Sequence, residues 1–387
     1  MAWRSWTGWA GVGWGGGMPS DPSYGSQWHH QKIDSEGAWE HTEGSTGITV
    51  AVLDTGLNTT LTEFQGRLVS GYDFVNADAD PTDDHGHGTA VAGVVAANAN
   101  NGLLVAGVDW KCRIMPIKVL DATNIGLYSN WALGVNFARM NGARVINLSA
   151  GGWTADTALT NAINAAIAAG VIFVTITHNH SSGTITYPGT LPQAITVGAT
   201  ERNDTRSDFS NWGSAIDLVA PGREIYTVSK TGGLTNLFGT SFAAPQVAGA
   251  AALLLSINPD LKQAEVSALL TVGAEDGVGD GEDTAGWDQY FGWGRLNVLN
   301  SILLAETKPG IEVLVDGRMR LSWQASANAV AKEPFTIEWR EEGTGWTSIA
   351  SPAISYGATT EWIDDGTETG EHPVLAAGRI YRVGIGN

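Results

Sequence analysis

Cysteine is nearly absent. The chain has 387 residues and one Cys, Cys112, so no intrachain disulfide can form and stability has to come from burial. Cys112 opens an apolar run at 112–120 and is expected to be a buried structural thiol. Positive charge is scarce as well. The 21 Lys and Arg face 40 Asp and Glu, a formal net charge of −19. Such a surface repels phosphate backbones and anionic lipid headgroups, which excludes nucleic acid as a partner. No apolar run is long enough to suggest a membrane span. A secretory signal is also missing from the first 18 residues. They hold Trp3, Trp6, Trp9 and Trp14 among glycines with Arg4 as the sole cation, where a signal would show a charged start and an aliphatic core.

Apolar residues make up 43% of the chain, ample for a sizeable core. The stretch that organises it is Phe238-Gly239-Thr240-Ser241-Phe242-Ala243-Ala244-Pro245, a turn running into a small-residue helix. A serine at a helix start meets unpaired N–H groups and the positive end of the helix dipole. That is a good place to build negative charge on an acyl group. The ordinary alternative is an N-cap serine. Two further stretches bear on the choice. Residues 48–56 form a β-branched run ending in Asp54-Thr55-Gly56, which predicts a buried parallel strand with Asp54 at its carboxyl end. Catalytic groups gather at that edge of open α/β sheets. Then His85-Gly86-His87-Gly88-Thr89 opens another small-residue helix. The order Asp, His, Ser is one of the known chain orders of a Ser-His-Asp triad.

With Asp54-Thr55-Gly56, His87-Gly88-Thr89 and Gly239-Thr240-Ser241 followed by Ala243, Pro245 and Gly249, the chain resembles the subtilase family of serine proteases. The likeness runs from about Asp21 to about Ala305. Ala90 stands where the family usually has a second histidine, and Phe242 where it usually has methionine. The resemblance implies a serine endopeptidase with Ser241 as nucleophile, His87 as general base and Asp54 as the buried carboxylate that orients it. His85 is expected on the rim. Asn179, just past the strand at 171–176, matches the family's side-chain oxyanion donor. Ser149, Ala150 and Gly151 match one wall of the substrate cleft, and Asn124, Ile125 and Gly126 the facing edge. An extended peptide would then bind by strand addition. His178 and Thr186 line the expected primary pocket, a broad one for apolar or aromatic residues at the cleaved position. Their bulk makes it shallower.

Calcium is the expected cofactor. Residues 73–80 crowd oxygens into one loop, and calcium takes six to eight oxygen ligands. The loop resembles one in thermitase-like subtilases, which implies Asp73, Asp78 and Asp80 as ligands, with Asn76. A second site is implied at Asp21, Glu63 and Asn101, completed by carbonyls near Leu103 and Val105. Leu104 there replaces a usual glycine. The alternative for both is a solvated acidic loop.

Strands expected at 113–120, 144–149, 171–176 and 194–199 alternate with helices at 128–141, 154–169 and 261–271. This pattern predicts a doubly wound parallel α/β sheet. A short helix is expected at 38–44. The domains are read as a tail at 1–19, a catalytic domain at 20–306 and, after Lys308-Pro309-Gly310, a small all-β domain at 307–387. Its period-two stretches at 318–323, 335–339 and 379–383 suggest a sandwich faintly like fibronectin type III. The expected protein is a secreted monomer acting on proteins and peptides, here a mature or shortened form. Two alternatives stand beside it. One is a catalytically silent homologue serving as a binding or scaffold protein. The other is a sedolisin-type acid peptidase, a family that lacks the His87-Gly88-Thr89 motif.

Overall fold

The computed structural model describes residues 18–307 and, beyond them, six strands; side chains are described through residue 306. Seven strands form one sheet: β1 (Thr49–Asp54), β2 (Tyr72–Asp73), β3 (Arg113–Lys118), β4 (Val145–Leu148), β5 (Ile172–Ile176), β6 (Ile195–Thr200) and β7 (Leu218–Pro221). Their order is β2-β3-β1-β4-β5-β6-β7, and every neighbouring pair is parallel. From β1 the chain goes to β2 and β3 on one side and then crosses to β4 on the other. The crevice at the carboxyl ends of β1 and β4 is therefore the switch point where α/β sheets bind ligands.

Parallel strands are covered on both faces, so they read as continuous apolar runs. Val50, Val52, Ile114, Val145, Ile172 and Val174 pack on one face beneath α3 (His87–Ala96) and α6 (Thr240–Ile257). Their neighbours Ala51, Leu53, Met115, Ile117, Ile146, Leu148 and Phe173 face α4 (Tyr128–Met140) and α5 (Thr157–Ala168). Each fully buried Val, Leu or Ile contributes about 1.5–3 kcal/mol. Asp156 caps α5, its side chain accepting from Leu159 N. By length and composition α6 resembles a membrane span, yet 89% of it is buried inside the protein. It is the core helix of the domain.

The helix expected at 38–44 lies earlier. Two short helices, α1 (Trp28–Lys32) and α2 (Ser35–Trp39), precede it. The Trp39 indole donates to Val108 O at 2.9 Å. The chain then turns, Thr42 Oγ1 accepting from Gly44 N at 3.1 Å, and that local bond competes with helix continuation. The hairpin β8 (Ile225–Val228) and β9 (Leu234–Leu237) leads into α6, and α7 (Gln263–Val272) and α8 (Val298–Thr307) follow. Cys112 is buried and free.

Past α8, strands β10 (Gly310–Val313), β11 (Met319–Gln324) and β14 (Thr359–Asp364) pair as β10-β11-β14; β12 (Phe335–Glu341), β13 (Thr347–Ala350) and β15 (Arg379–Ile385) pair as β13-β12-β15. All of these pairings are antiparallel. Three of the strands fall on the expected period-two stretches. Most of the expected tail, and Lys308-Pro309 of the expected linker, lie outside the described residues.

Candidate active site

Asp54 ends β1 and is fully buried. Its Oδ1 accepts from Thr55 N at 2.7 Å and from His87 Nδ1 at 2.7 Å. With Nδ1 donating to the carboxylate, Nε2 of the neutral ring is the acceptor. The pairing depends on close contact between α3 and the turn after β1. A Cβ on Gly88 would collide with the Gly56 carbonyl and stand 3.0 Å from Asp54 Cβ. His85 is exposed, its Nδ1 accepting from His87 N at 3.3 Å.

Asp83 holds this corner together, a role that sequence reading missed. Its Oδ1 accepts from Thr55 Oγ1 at 2.8 Å and Gly86 N at 2.7 Å. Its Oδ2 accepts from Thr89 N at 2.9 Å and Thr89 Oγ1 at 2.6 Å. Burial works against the Asp83 charge, but the donors from Thr89, Gly86 and Thr55 outweigh it and hold the carboxyl below the usual range.

Burial of the His87 ring would lower its pKa. The Asp54 charge and hydrogen bond, with Asp83 behind them, outweigh burial and raise it. A general base works deprotonated, so a raised pKa moves the onset of activity to higher pH. The expected kcat/KM profile rises with a midpoint above the ordinary imidazole value of about 6.5. Activity already at its plateau at pH 5 would contradict this.

Ser241 is the second residue of α6, after Gly239, which takes φ 138 and ψ 158, a conformation that favours glycine. At that position its N–H has no acceptor within the helix. Pro245 has no N–H, so it leaves the Ser241 carbonyl without its usual helical donor. Ser149 Oγ supplies one at 3.2 Å, and Asn147 Nδ2 donates to Ser149 Oγ at 2.9 Å. Ser241 Oγ donates to the Ser149 carbonyl at 3.4 Å, at the long end of hydrogen-bond distances. The His87 ring packs on Phe242, with centroids 5.5 Å apart, which brings the imidazole to the start of α6.

Asn179 follows β5 and reaches the same helix start. Thr240 N and Thr240 Oγ1 both donate to Asn179 Oδ1, each at 2.9 Å. The amide NH₂ is thereby turned away from Thr240. His178 takes φ 86, and its Nδ1 accepts from Asn179 N at 2.9 Å. Burial and the neighbouring His180 push the His178 pKa down to about 4, so the ring is neutral in ordinary buffers.

Ser149, Ala150 and Gly151 continue β4, and Gly152 exchanges two 2.8 Å backbone bonds with Tyr187. Thr186 is thereby brought against this wall. Asn124, Ile125 and Gly126 form a turn-borne segment rather than a strand, with Asn124 at φ 62, Ile125 67% exposed and Gly126 half-buried.

The expected calcium ligands fall into two places. Asp73 and Asp78 exchange backbone bonds at 2.9 and 3.1 Å across one tight loop. Asp73 Oδ2 accepts from Asn76 Nδ2 at 2.8 Å, and Asp80 lies exposed beside them. Elsewhere, Asp21 and Glu63 are buried, and Asn101 joins them. Asn101 N donates to Asp21 Oδ1 and Asn101 Nδ2 to Glu63 Oε2, both at 3.2 Å. Among the described residues Glu63 Oε1 is buried without a partner. Among them, too, no three His, Cys, Asp or Glu side chains converge as a metal cluster. Any ion would draw much of its shell from amide and carbonyl oxygens.

A model of the subtilase family matches residues 45–294. Thermitase of Thermoactinomyces vulgaris is 36% identical over 285 residues, covering 73% of this chain and 99% of that protein. The cell wall-associated protease of Bacillus subtilis (strain 168) is 36% identical over 309 residues, 75% of this chain and 34% of that longer protein. The crystal structure of a cold adapted subtilisin-like serine proteinase superposes with a TM-score of 0.59 at 38% identity, over 66% of this chain and 90% of that one. Family match, relatives and fold agree, and the chain belongs to the subtilase family of serine proteases.

Proposed function

We propose that this serine endopeptidase cleaves peptide bonds through an acyl-enzyme formed on Ser241. The hydrogen bond between His87 and buried Asp54 is the observation that carries the reading. His87 Nε2 takes the Ser241 hydroxyl proton as Oγ adds to the scissile carbonyl. The oxyanion is met by Ser241 N–H and Asn179 Nδ2 at the positive end of α6. His87 then gives its proton to the leaving amine, and the C–N bond breaks. Water, deprotonated by the same ring, attacks the ester and frees the acid and Ser241. An extended substrate strand would run between 124–126 and 149–151. The relative associated with a cell wall supports action outside the cell. A fluorophosphonate probe tests the reading: labelling of the native chain and none of Ser241→Ala is the expected result. A native chain that takes no label overturns it.

We also propose structural calcium, with Asp21, Glu63 and Asn101 around one ion and Asp73, Asn76, Asp78 and Asp80 around another. At the first site two buried carboxylates, Asp21 and Glu63, the latter with one oxygen unpartnered among the described residues, fit a cation. Bound calcium would neutralise these charges and fasten the loops. An ion held only by the folded state stabilises it by about 2.7 kcal/mol at a hundredfold excess over its dissociation constant. The expected result is a lower melting temperature in excess EDTA than in millimolar calcium. An unchanged midpoint, with no metal by elemental analysis, would show that both sites are wrong.

A further inference from the structure

Ser149 bonds to Ser241 on one side of the helix start, and His178 bonds to the backbone of Asn179 on the other. A carbonyl held by Ser241 and Asn179 would therefore set its Cα beside Ser149 and His178. The side chain on that Cα, the acyl-side residue of the cleaved bond, would be directed at the gap between the Ser149–Gly151 wall and the wall formed by His178 and Thr186. That gap is filled. A Cβ on Gly151, pointing across it, would collide with Thr186 Oγ1, stand 3.1 Å from Thr186 Cβ and 3.0 Å from His178 Cδ2. Contacts this short leave no space between the walls for a long or aromatic side chain.

Both obstructing side chains sit in packed surroundings. Thr186 is 1% exposed, and its Oγ1 is buried with no hydrogen-bond partner among the described residues. The Gly152–Tyr187 backbone bonds fix its position along the wall. His178 is held through Nδ1 by the Asn179 N–H at 2.9 Å. Its other face stacks on His180, with centroids 4.4 Å apart and planes within 10°, and His180 lies 4.8 Å from Trp153. Opening the gap for a benzyl group would disturb this stack and the Asn179 contact together.

We propose that the acyl-side pocket is closed by Thr186 and His178, so that the enzyme cleaves after glycine or alanine and discriminates against aromatic and long aliphatic residues. The proposal rests on the endopeptidase reading above and replaces the expectation of an apolar or aromatic preference. A misfit of one methylene in a snug pocket already changes selectivity about 10-fold to 200-fold. A benzyl group exceeds alanine by far more than that.

The test is a set of four peptide p-nitroanilides, identical except for Gly, Ala, Leu or Phe before the scissile bond. The full chain and Thr186→Gly are compared. Thr186→Gly is the cleaner variant because the hydroxyl it removes makes no hydrogen bond, whereas changing His178 also removes an acceptor from Asn179. The native chain is expected to favour Ala over Phe in kcat/KM by at least about tenfold. Thr186→Gly is expected to raise the Phe-to-Ala ratio about tenfold, mainly through KM. Thr186→Ala serves if the glycine variant fails to fold, with the same direction of change. Equal or faster cleavage after Leu or Phe by the native chain overturns the proposal. An unchanged ratio in a variant that melts like the native chain does so too. The endopeptidase reading fails separately, and takes this proposal with it, if none of the peptides is cleaved and Ser241 takes no fluorophosphonate.

Discussion

Ser241→Ala and His87→Ala are each expected to lower kcat by about 10⁴ to 10⁶, with the melting temperature of Ser241→Ala nearly unchanged. The magnitude is the general one for triads whose members act as a unit. Removing the hydroxyl takes the nucleophile; removing the imidazole leaves a hydroxyl with no base. The double variant should therefore be no worse than either single one. Asp54→Asn should cost about 10⁴, because an amide facing His87 Nδ1 favours the wrong tautomer. Little stability is at stake at Ser241. Its Oγ makes a 3.4 Å bond to the Ser149 carbonyl, and a net hydrogen bond contributes only about 1 kcal/mol. Asp54 is different: it is buried and also holds Thr55 N, so Asn, which keeps the shape and an acceptor, is the usable substitution. Near-normal turnover by Ser241→Ala, at matched folding, would rule out the mechanism.

The parts of this site visible in the sequence are those with a local signature. Asp54 closes a β-branched run, His87 and Ser241 open small-residue helices, and β3 to β6 stand within a few residues of their expected places. The parts that were hidden act at long range. Asp83 looks like one acid among several in an acidic loop, and only folding places Thr55 28 residues away within 2.8 Å of it. Ser149 and Ser241 are 92 residues apart when they bond. Thr240 is visible only as a motif letter until Asn179 arrives from β5. The short strands escaped for another reason. β2 has two residues, and β9 alternates exposed and half-buried positions at the surface, so neither leaves the continuous apolar run that marked the others. The proposed pocket is half legible: Thr186 and His178 stand out in the sequence as bulk, but the separation of the walls depends on the Gly152–Tyr187 pairing.

Asn179→Leu is expected to lower kcat by about 10² to 10³ with KM little changed. The reasoning starts from Thr240. Its N–H and hydroxyl both donate to Asn179 Oδ1 at 2.9 Å, and this network assigns the amide its orientation. The two Nδ2 protons then face away from Thr240, with Nδ2 beside Gly239 at the start of α6, where the proposed oxyanion would form. A neutral carbonyl gains little from such a donor, whereas an oxyanion gains a charge-strengthened bond in a site already arranged for it. The loss therefore belongs to the transition state, and a transition-state interaction reduces kcat and kcat/KM together. Leu keeps the volume and removes the donor. Thr240→Ala provides the graded control: it deletes the hydroxyl but keeps the N–H, so Asn179 retains one of its two holds. Its expected loss is smaller, about tenfold or less, in kcat alone. A rise in KM at constant kcat for Asn179→Leu would place the amide on the bound substrate rather than on the oxyanion, and Ser241 N–H would then stand as the donor at this site.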